Sequence, residues 1–211
     1  MSSAPELLPE GRRARRKAET RQRLLRAARE LFSTRGFDAT RPQDIARAAD
    51  LATGTFYVHF ADKGEAFHAF AAQAGEELMA EMGRRIDGAR GFEERLLRSL
   101  EALHGYAERN PGVLSAAFAD AAVIAAGVPS GASLRDRLAD SLARGLQADM
   151  DAGRLARDFD ARVIAHGMVG MIHAACTHGV RADLSPRQLF ENLTRFCGRA
   201  LAVEASEDAE R

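Results

Sequence analysis

Apolar residues return at intervals of three and four along most of the chain. Leu24, Leu25, Ala28, Leu31 and Phe32 form one stripe, and Phe92, Leu96, Leu97, Leu100 and Leu103 a second. Leu134, Leu138, Leu142 and Leu146 form a third, and Leu189, Phe190, Leu193, Phe196, Cys197, Ala200 and Leu201 a fourth. Such spacing places one side chain above another on a single helix face. No segment alternates with a period of two over a useful length. The pattern predicts an all-α protein.

Turn residues divide the helices. Gly36 follows the first stripe where a left-handed C-terminal cap would sit. Thr40 with Gln43 three residues on reads as a capping box, and Pro42 falls in the first turn, where its missing N–H costs nothing. A short helix is therefore expected from about Pro42 to Ala49, broken at Asp50 and Leu51. Asp62 is placed to cap a further helix that begins near Lys63 and carries Phe67 and Phe70 inward. Asn110-Pro111-Gly112, Val128-Pro129-Ser130-Gly131, Asp151-Ala152-Gly153 and Leu184-Ser185-Pro186 mark later turns.

Between these signals lies TGTFYVHFADK, Thr53 to Lys63. Phe56 and Phe60 are four apart and share one face, while Thr53, Thr55, Tyr57 and His59 fall elsewhere. Ile45, Ala49, Leu51, Phe56 and Phe60 are suited to hold two short helices together, with Ala46 permitting a close crossing. Two short helices, the second polar on its outer face, describe a helix-turn-helix whose second helix enters the DNA major groove. The hydroxyls and imidazole can reach base edges or phosphates, and Gly54 removes a side chain where a backbone must come close. Lys63 adds a cation at the next helix's start. An ordinary surface helix of an α-bundle is the alternative.

Charge sharpens the picture. The formal net charge is zero, yet residues 1–63 carry 13 Lys/Arg against 8 Asp/Glu, a net of +5, leaving −5 for 64–211. The excess concentrates in residues 11–35, where ten cations face only Glu19 and Glu30. That is the footprint of a phosphate-seeking surface. Lysine is rare: Lys17 and Lys63 are the two in the chain. Composition, at 46% hydrophobic and 28% charged, is that of an ordinary soluble protein. With no long apolar stretch and no secretory pattern, no membrane association is expected and the cytoplasm is the expected location. Cys176 and Cys197 read as two reduced, buried thiols. GxSxG, HExxH and a phosphate-cradling glycine loop are all absent from the sequence, so no enzyme is expected.

The segment RAARELFSTRGFDATRPQDIARAADLATGTFYVHFADKGEAF resembles the DNA-binding domain of TetR/AcrR-type transcriptional regulators, with its G-x-x-x-[ST] entry, I-A-x-x-A core and G-T-[LF]-Y-x-[HY]-F-x-x-K recognition segment. The resemblance covers about the first quarter of the chain. It implies that Thr53, Gly54, Thr55, Tyr57 and His59 contact groove and phosphates, that Lys63 contacts phosphate, and that Thr40 and Gln43 contribute from the second helix. Three departures stand out: Asp50 replaces the usual turn glycine, Ala52 the usual capping serine, and Arg41-Pro42 the usual small or apolar pair.

The resemblance further implies a helical effector-binding and dimerisation domain, with the last two long helices, here Asp160 to Thr177 and Pro186 to Val203, forming a four-helix interface in a homodimer. ARVIAHGMVGMIHAAC supports this, being apolar or small on nearly every face; burial within one chain is the alternative. The expected organisation is a flexible basic arm at 1–17, a three-helix DNA-binding domain at 18–63, an effector and dimerisation domain at 64–203 and a polar tail at 204–211. Phe67, Met82, Leu100, Leu103, His104, Phe118 and Met168 are effector-pocket candidates, each of which plain core packing also explains. His104 is the polar member, suited to orient a ligand. His166, His173, Cys176 and His178 invite a metal reading, but no further ligand is evident and packing explains them, so no metal or cofactor is expected. The expected function is a dimeric regulator, a repressor released from palindromic double-stranded DNA by a small-molecule effector. A helical enzyme or small-molecule carrier and a nonspecific nucleoid-binding protein are the competing readings.

Overall fold

The computed structural model describes residues 9–118, 133–181 and 184–203. All the regular structure in them is helical: α1 Pro9–Arg35, α2 Pro42–Ala48, α3 Thr53–His59, α4 Lys63–Ile86, α5 Gly91–Arg109, α6 Val113–Phe118, α7 Leu134–Asp151, α8 Ala161–Arg181 and α9 Pro186–Ala200. No helix among these residues is long and apolar enough to cross a membrane. The chain divides into two units, Met1–Gln73 with Gly112–Ser130, and Ala74–Pro111 with Gly131–Arg211. Both differ from the expected division at 63/64: the first unit takes the opening of α4 and reclaims α6. The expected arm also gives way to helix, because α1 already runs from Pro9. Arginine and lysine are good helix formers, and charge alone does not unwind them.

In the first unit, Leu24, Ala28, Phe32, Ile45, Phe56 and Phe60 are almost wholly buried. α1 ends as its glycine predicts, with Gly36 at φ 79° and its N–H on the Phe32 carbonyl at 3.1 Å. The entry to α2 departs from expectation. Arg41, in extended conformation, is the capping residue, and the Asp44 carboxylate accepts its N–H at 3.3 Å. Thr40 is fully buried and its hydroxyl donates backward to the Gly36 carbonyl at 2.8 Å. A threonine hydroxyl can bond forward or back, and the buried site selects the nearer carbonyl.

The turn between α2 and α3 is a Schellman motif built on aspartate. Asp50 has φ 54°, its N–H reaches the Arg47 carbonyl at 3.0 Å, and the Leu51 N–H reaches Ala46 at 2.9 Å. Arg23 of α1 steadies it, donating to the carbonyls of Ala49 at 2.7 Å and Asp50 at 3.3 Å. Ala52 gives α3 no side-chain cap. Asp62 does cap α4, accepting from the Glu65 N–H at 2.8 Å while Glu65 accepts from Ala61 at 2.6 Å. Phe32, Phe37, Phe67 and Phe70 pack ring on ring at 5.1–6.0 Å between centroids. Gly112 enters α6 at φ 76°, where a Cβ would lie 2.2 Å from the Ser33 carbonyl oxygen, so only glycine lets α6 meet α1 there.

The second unit is organised around a buried carboxylate. Asp149 of α7, 1% exposed, accepts from Arg95 of α5 and from Arg154 at 2.6 and 2.9 Å. Tyr106 of α5 donates to Glu77 of α4 at 2.8 Å. α8 packs on α7, and α9 on α5 and α8. α7 and α9 both open with full capping boxes, Ser133 with Asp136 and Ser185 with Gln188. The two terminal helices span Ala161–Arg181 and Pro186–Ala200, close to the expected bounds.

Two stability predictions follow from these contacts. Replacing Asp50→Gly removes the left-handed penalty on a residue with a Cβ and should raise stability by about 1 kcal/mol in urea unfolding, whereas a fall would show that the Asp50 carboxylate's ion pair with Arg23, at 3.9 Å, outweighs it. Asp149→Ala leaves two guanidinium groups facing a vacated site and should cost roughly 3–5 kcal/mol; a loss below about 1 kcal/mol would contradict the assigned role.

Candidate nucleic-acid interface

Phe56 at 0% exposure pins α3 into the first unit and turns its other face outward. Gly54, Tyr57 and Val58, at i, i+3 and i+4, lie together on that exposed face, with Tyr57 51% and Val58 67% exposed. Thr53 is also exposed and Thr55 half-buried. On α2, Gln43 is exposed. Gly54 is informative because a Cβ there would meet nothing within 4 Å, and its backbone is not left-handed. The protein's own packing does not require glycine at that point. The space beside it is open.

His59 closes α3, half-buried, its Nδ1 enclosed with no hydrogen-bond partner among the described residues. Burial lowers its pKa, and the nearby charges of Lys17 and Arg21 lower it further. Lys63 is partly used within the fold: its Nζ donates to the Phe37 carbonyl at 2.8 Å and sits 4.1 Å from the centre of the Phe37 ring. An ammonium has three donors, so this anchor still leaves capacity for an anion. Arg21 stacks over the Phe60 ring at 4.8 Å.

Seven of the eight expected contact residues therefore gather on or beside the α2–α3 surface. Thr40 is the exception: it is fully buried, and its hydroxyl holds the turn before α2. Val58 is a member that sequence reasoning passed over. The signal was available, a β-branched apolar residue four after Gly54, and its chemistry suits contact with a thymine methyl.

The effector candidates are less coherent. Phe67 belongs to the phenylalanine cluster of the first unit, and Phe118 lies in the same unit on α6. Leu100 and Met168 are buried in the second unit, and Met82 and Leu103 half-buried. His104 is half-buried, with Nε2 3.4 Å from Glu108 and its ring edge-on to Phe190. On α8, His166 and His173 are exposed and Cys176 is half-buried, its thiol pKa raised by burial; the side chain of His178 lies outside the described residues. Among those described, no three His, Cys, Asp or Glu side chains are grouped to hold a metal.

Residues 24–70, from the first core leucine to the last phenylalanine of the aromatic cluster, match the family model described as "Bacterial regulatory proteins, tetR family". Residues 24–70 are thus those of a TetR-type DNA-binding domain. The HTH-type transcriptional regulator YdgC of Bacillus subtilis is 26% identical over 161 residues, covering 73% of this chain and 77% of that one. A crystal structure of a TetR-family regulator from Rhodococcus sp. shares the fold at TM-score 0.69, with 19% identity, over 88% of this chain and all of the other. A gamma-butyrolactone receptor described as ArpA-like aligns at TM-score 0.61 with 22% identity over 90% and 91%. The matched segment contains α2, α3 and the opening of α4.

Two outcomes test the interface. Gly54→Ala should stabilise the fold, by roughly 0.5–1 kcal/mol, while weakening DNA binding; parallel changes in both would contradict the open-site reading. His59, with its pKa depressed in the folded state, keeps the fold at full stability above the unfolded value of about 6.5 and withdraws that stability as pH falls below it. His59→Gln should flatten this acid-side loss in unfolding measured between about pH 7 and 5.

Proposed function

We propose that the protein is a homodimeric repressor that holds a palindromic operator through Gln43, Thr53, Gly54, Thr55, Tyr57, Val58, His59 and Lys63, and releases it when a small molecule binds the second unit. The observation that carries the DNA half is the outward face of α3, where an exposed tyrosine and valine flank a glycine that the fold itself does not need. Direct readout calls for such a face: exposed donors and apolar groups beside a point of close backbone approach.

The dimer half is supported by the outer surfaces of α8 and α9. Val163 is 68% exposed and Phe196 61% exposed, both large apolar groups on the two terminal helices. Phe196 also borders a depression of about 500 Å³ with Asn192, Arg195, Arg199 and Ala200. Gly167 and Gly170 of α8 have open space where a Cβ would stand, which permits close helix approach. Exposed apolar surface of this kind on terminal helices favours self-association, and two-fold pairing would present two recognition helices to a palindrome. Effector control is inferred from the family, and the structural likeness to a gamma-butyrolactone receptor fits a small organic ligand. α4, which begins at the Lys63 anchor and continues into the second unit, is the element through which ligand binding would bias the DNA-binding state.

Phe196→Glu should convert a sedimenting dimer to monomer while leaving helical content unchanged, and should weaken binding to duplex DNA more than tenfold. A dimer that survives this change would place the interface elsewhere.

A further inference from the structure

The core stripe of α1 does not stop at Leu24. Traced toward the N-terminus from Leu31 and Ala28 through Leu24, in steps of three and four, it continues as Arg21, Lys17 and Arg13. These residues therefore occupy the face of α1 that, farther along, packs into the first unit. Arg21 makes the direction explicit, since its guanidinium lies over Phe60, the residue that follows α3. Lys17 is near enough to His59 to contribute to lowering its pKa. The basic stripe thus passes the C-terminal end of α3.

From Gly11 to Glu19 every residue is exposed, so no core holds this part of the helix. Leucine or alanine along that face would leave an apolar patch in water; the sequence instead supplies cations at each step. Arg13 to Arg21 spans about 12 Å at 1.5 Å per residue. Phosphates along one DNA strand rise about 3.4 Å each, so that length follows several of them.

We infer that the first turns of α1 are a rigid basic rail, on which Arg13 and Lys17, continuing from Arg21, contact the phosphate backbone flanking the site read by α3. The inference rests on the regulator reading of α3. It differs from a flexible arm inserted into a groove, because the cations are fixed on one helix face and can add affinity without reading bases.

The test compares two pairs of substitutions that remove the same charge from opposite sides of α1. Arg13→Gln with Lys17→Gln strips the rail. Arg15→Gln with Arg26→Gln is the control, since both residues are turned about 120–140° from Arg21, and Arg15 pairs with Glu19 at 3.2 Å. Binding to a labelled mixed-sequence duplex of about 30 base pairs is followed by anisotropy from about 50 to 200 mM KCl. The rail pair should reduce the slope of log affinity against log salt by about 1.8, at about 0.9 per contact. Over that fourfold range of salt the unmodified protein should then lose about twelvefold more affinity than the rail variant. The control pair should leave the slope unchanged. Equal losses in both pairs would reduce the effect to net charge, and no loss in either would remove the rail; both outcomes overturn the inference while the unmodified protein still binds. Failure of the unmodified protein to bind duplex at any of these salts would instead overturn the regulator reading itself.

Discussion

The left-handed turn at Asp50 sets the direction of α3, and the surface presented to DNA depends on it. A residue with a Cβ resists that conformation, which is why glycine is the usual solution at the end of a helix. Here two hydrogen-bonding systems meet at one corner, the paired Schellman bonds to Ala46 and Arg47 and the Arg23 guanidinium on the carbonyls of Ala49 and Asp50, beside the buried side chains of Ile45 and Phe56. Arg23 comes from α1, so the corner is tied to the longest helix of the first unit. Many of the cations in this part of the chain face water, and Arg23 is one whose structural role is explicit.

Lys63 works in a comparable way at the opposite end of α3. Its ammonium spans the start of α4, the Phe37 carbonyl and the Phe37 ring, and so joins the exit from α3 to the aromatic cluster of Phe32, Phe67 and Phe70. Ammonium over an aromatic face is favourable where water is partly excluded. The same group that sequence reasoning assigns to phosphate is therefore also a fastening of the fold. A substitution there would act on structure and on DNA together, whereas Gly54 and Val58 touch little of the protein and report on the exterior alone.

Helical class, the position of the helix-turn-helix, the left-handed residue at Asp50 and the two terminal helices were legible because each is written in local spacing or in a single turn residue. What was not legible depended on alternatives of nearly equal local merit. Thr40 had two carbonyl or amide partners within reach, and only tertiary burial chose between them. The start of α1 was hidden because a basic run reads as solvated chain, although arginine favours helix. The return of α6 to the first unit is a long-range contact, made possible by Gly112 against Ser33, and no periodicity announces it. Phe67 is a similar case: its stripe was visible, but two of the phenylalanines it meets, Phe32 and Phe37, come from a distant part of the chain.

The central claim is that a pair of these molecules reads a defined DNA sequence through α3. Selection of bound duplexes from a random pool by the purified protein, at near-physiological salt and followed by sequencing, tests it most directly. The account predicts enrichment of one palindrome whose half-sites lie about one helical turn or a multiple apart. A folded, dimeric protein that retains duplexes without any sequence preference would contradict it.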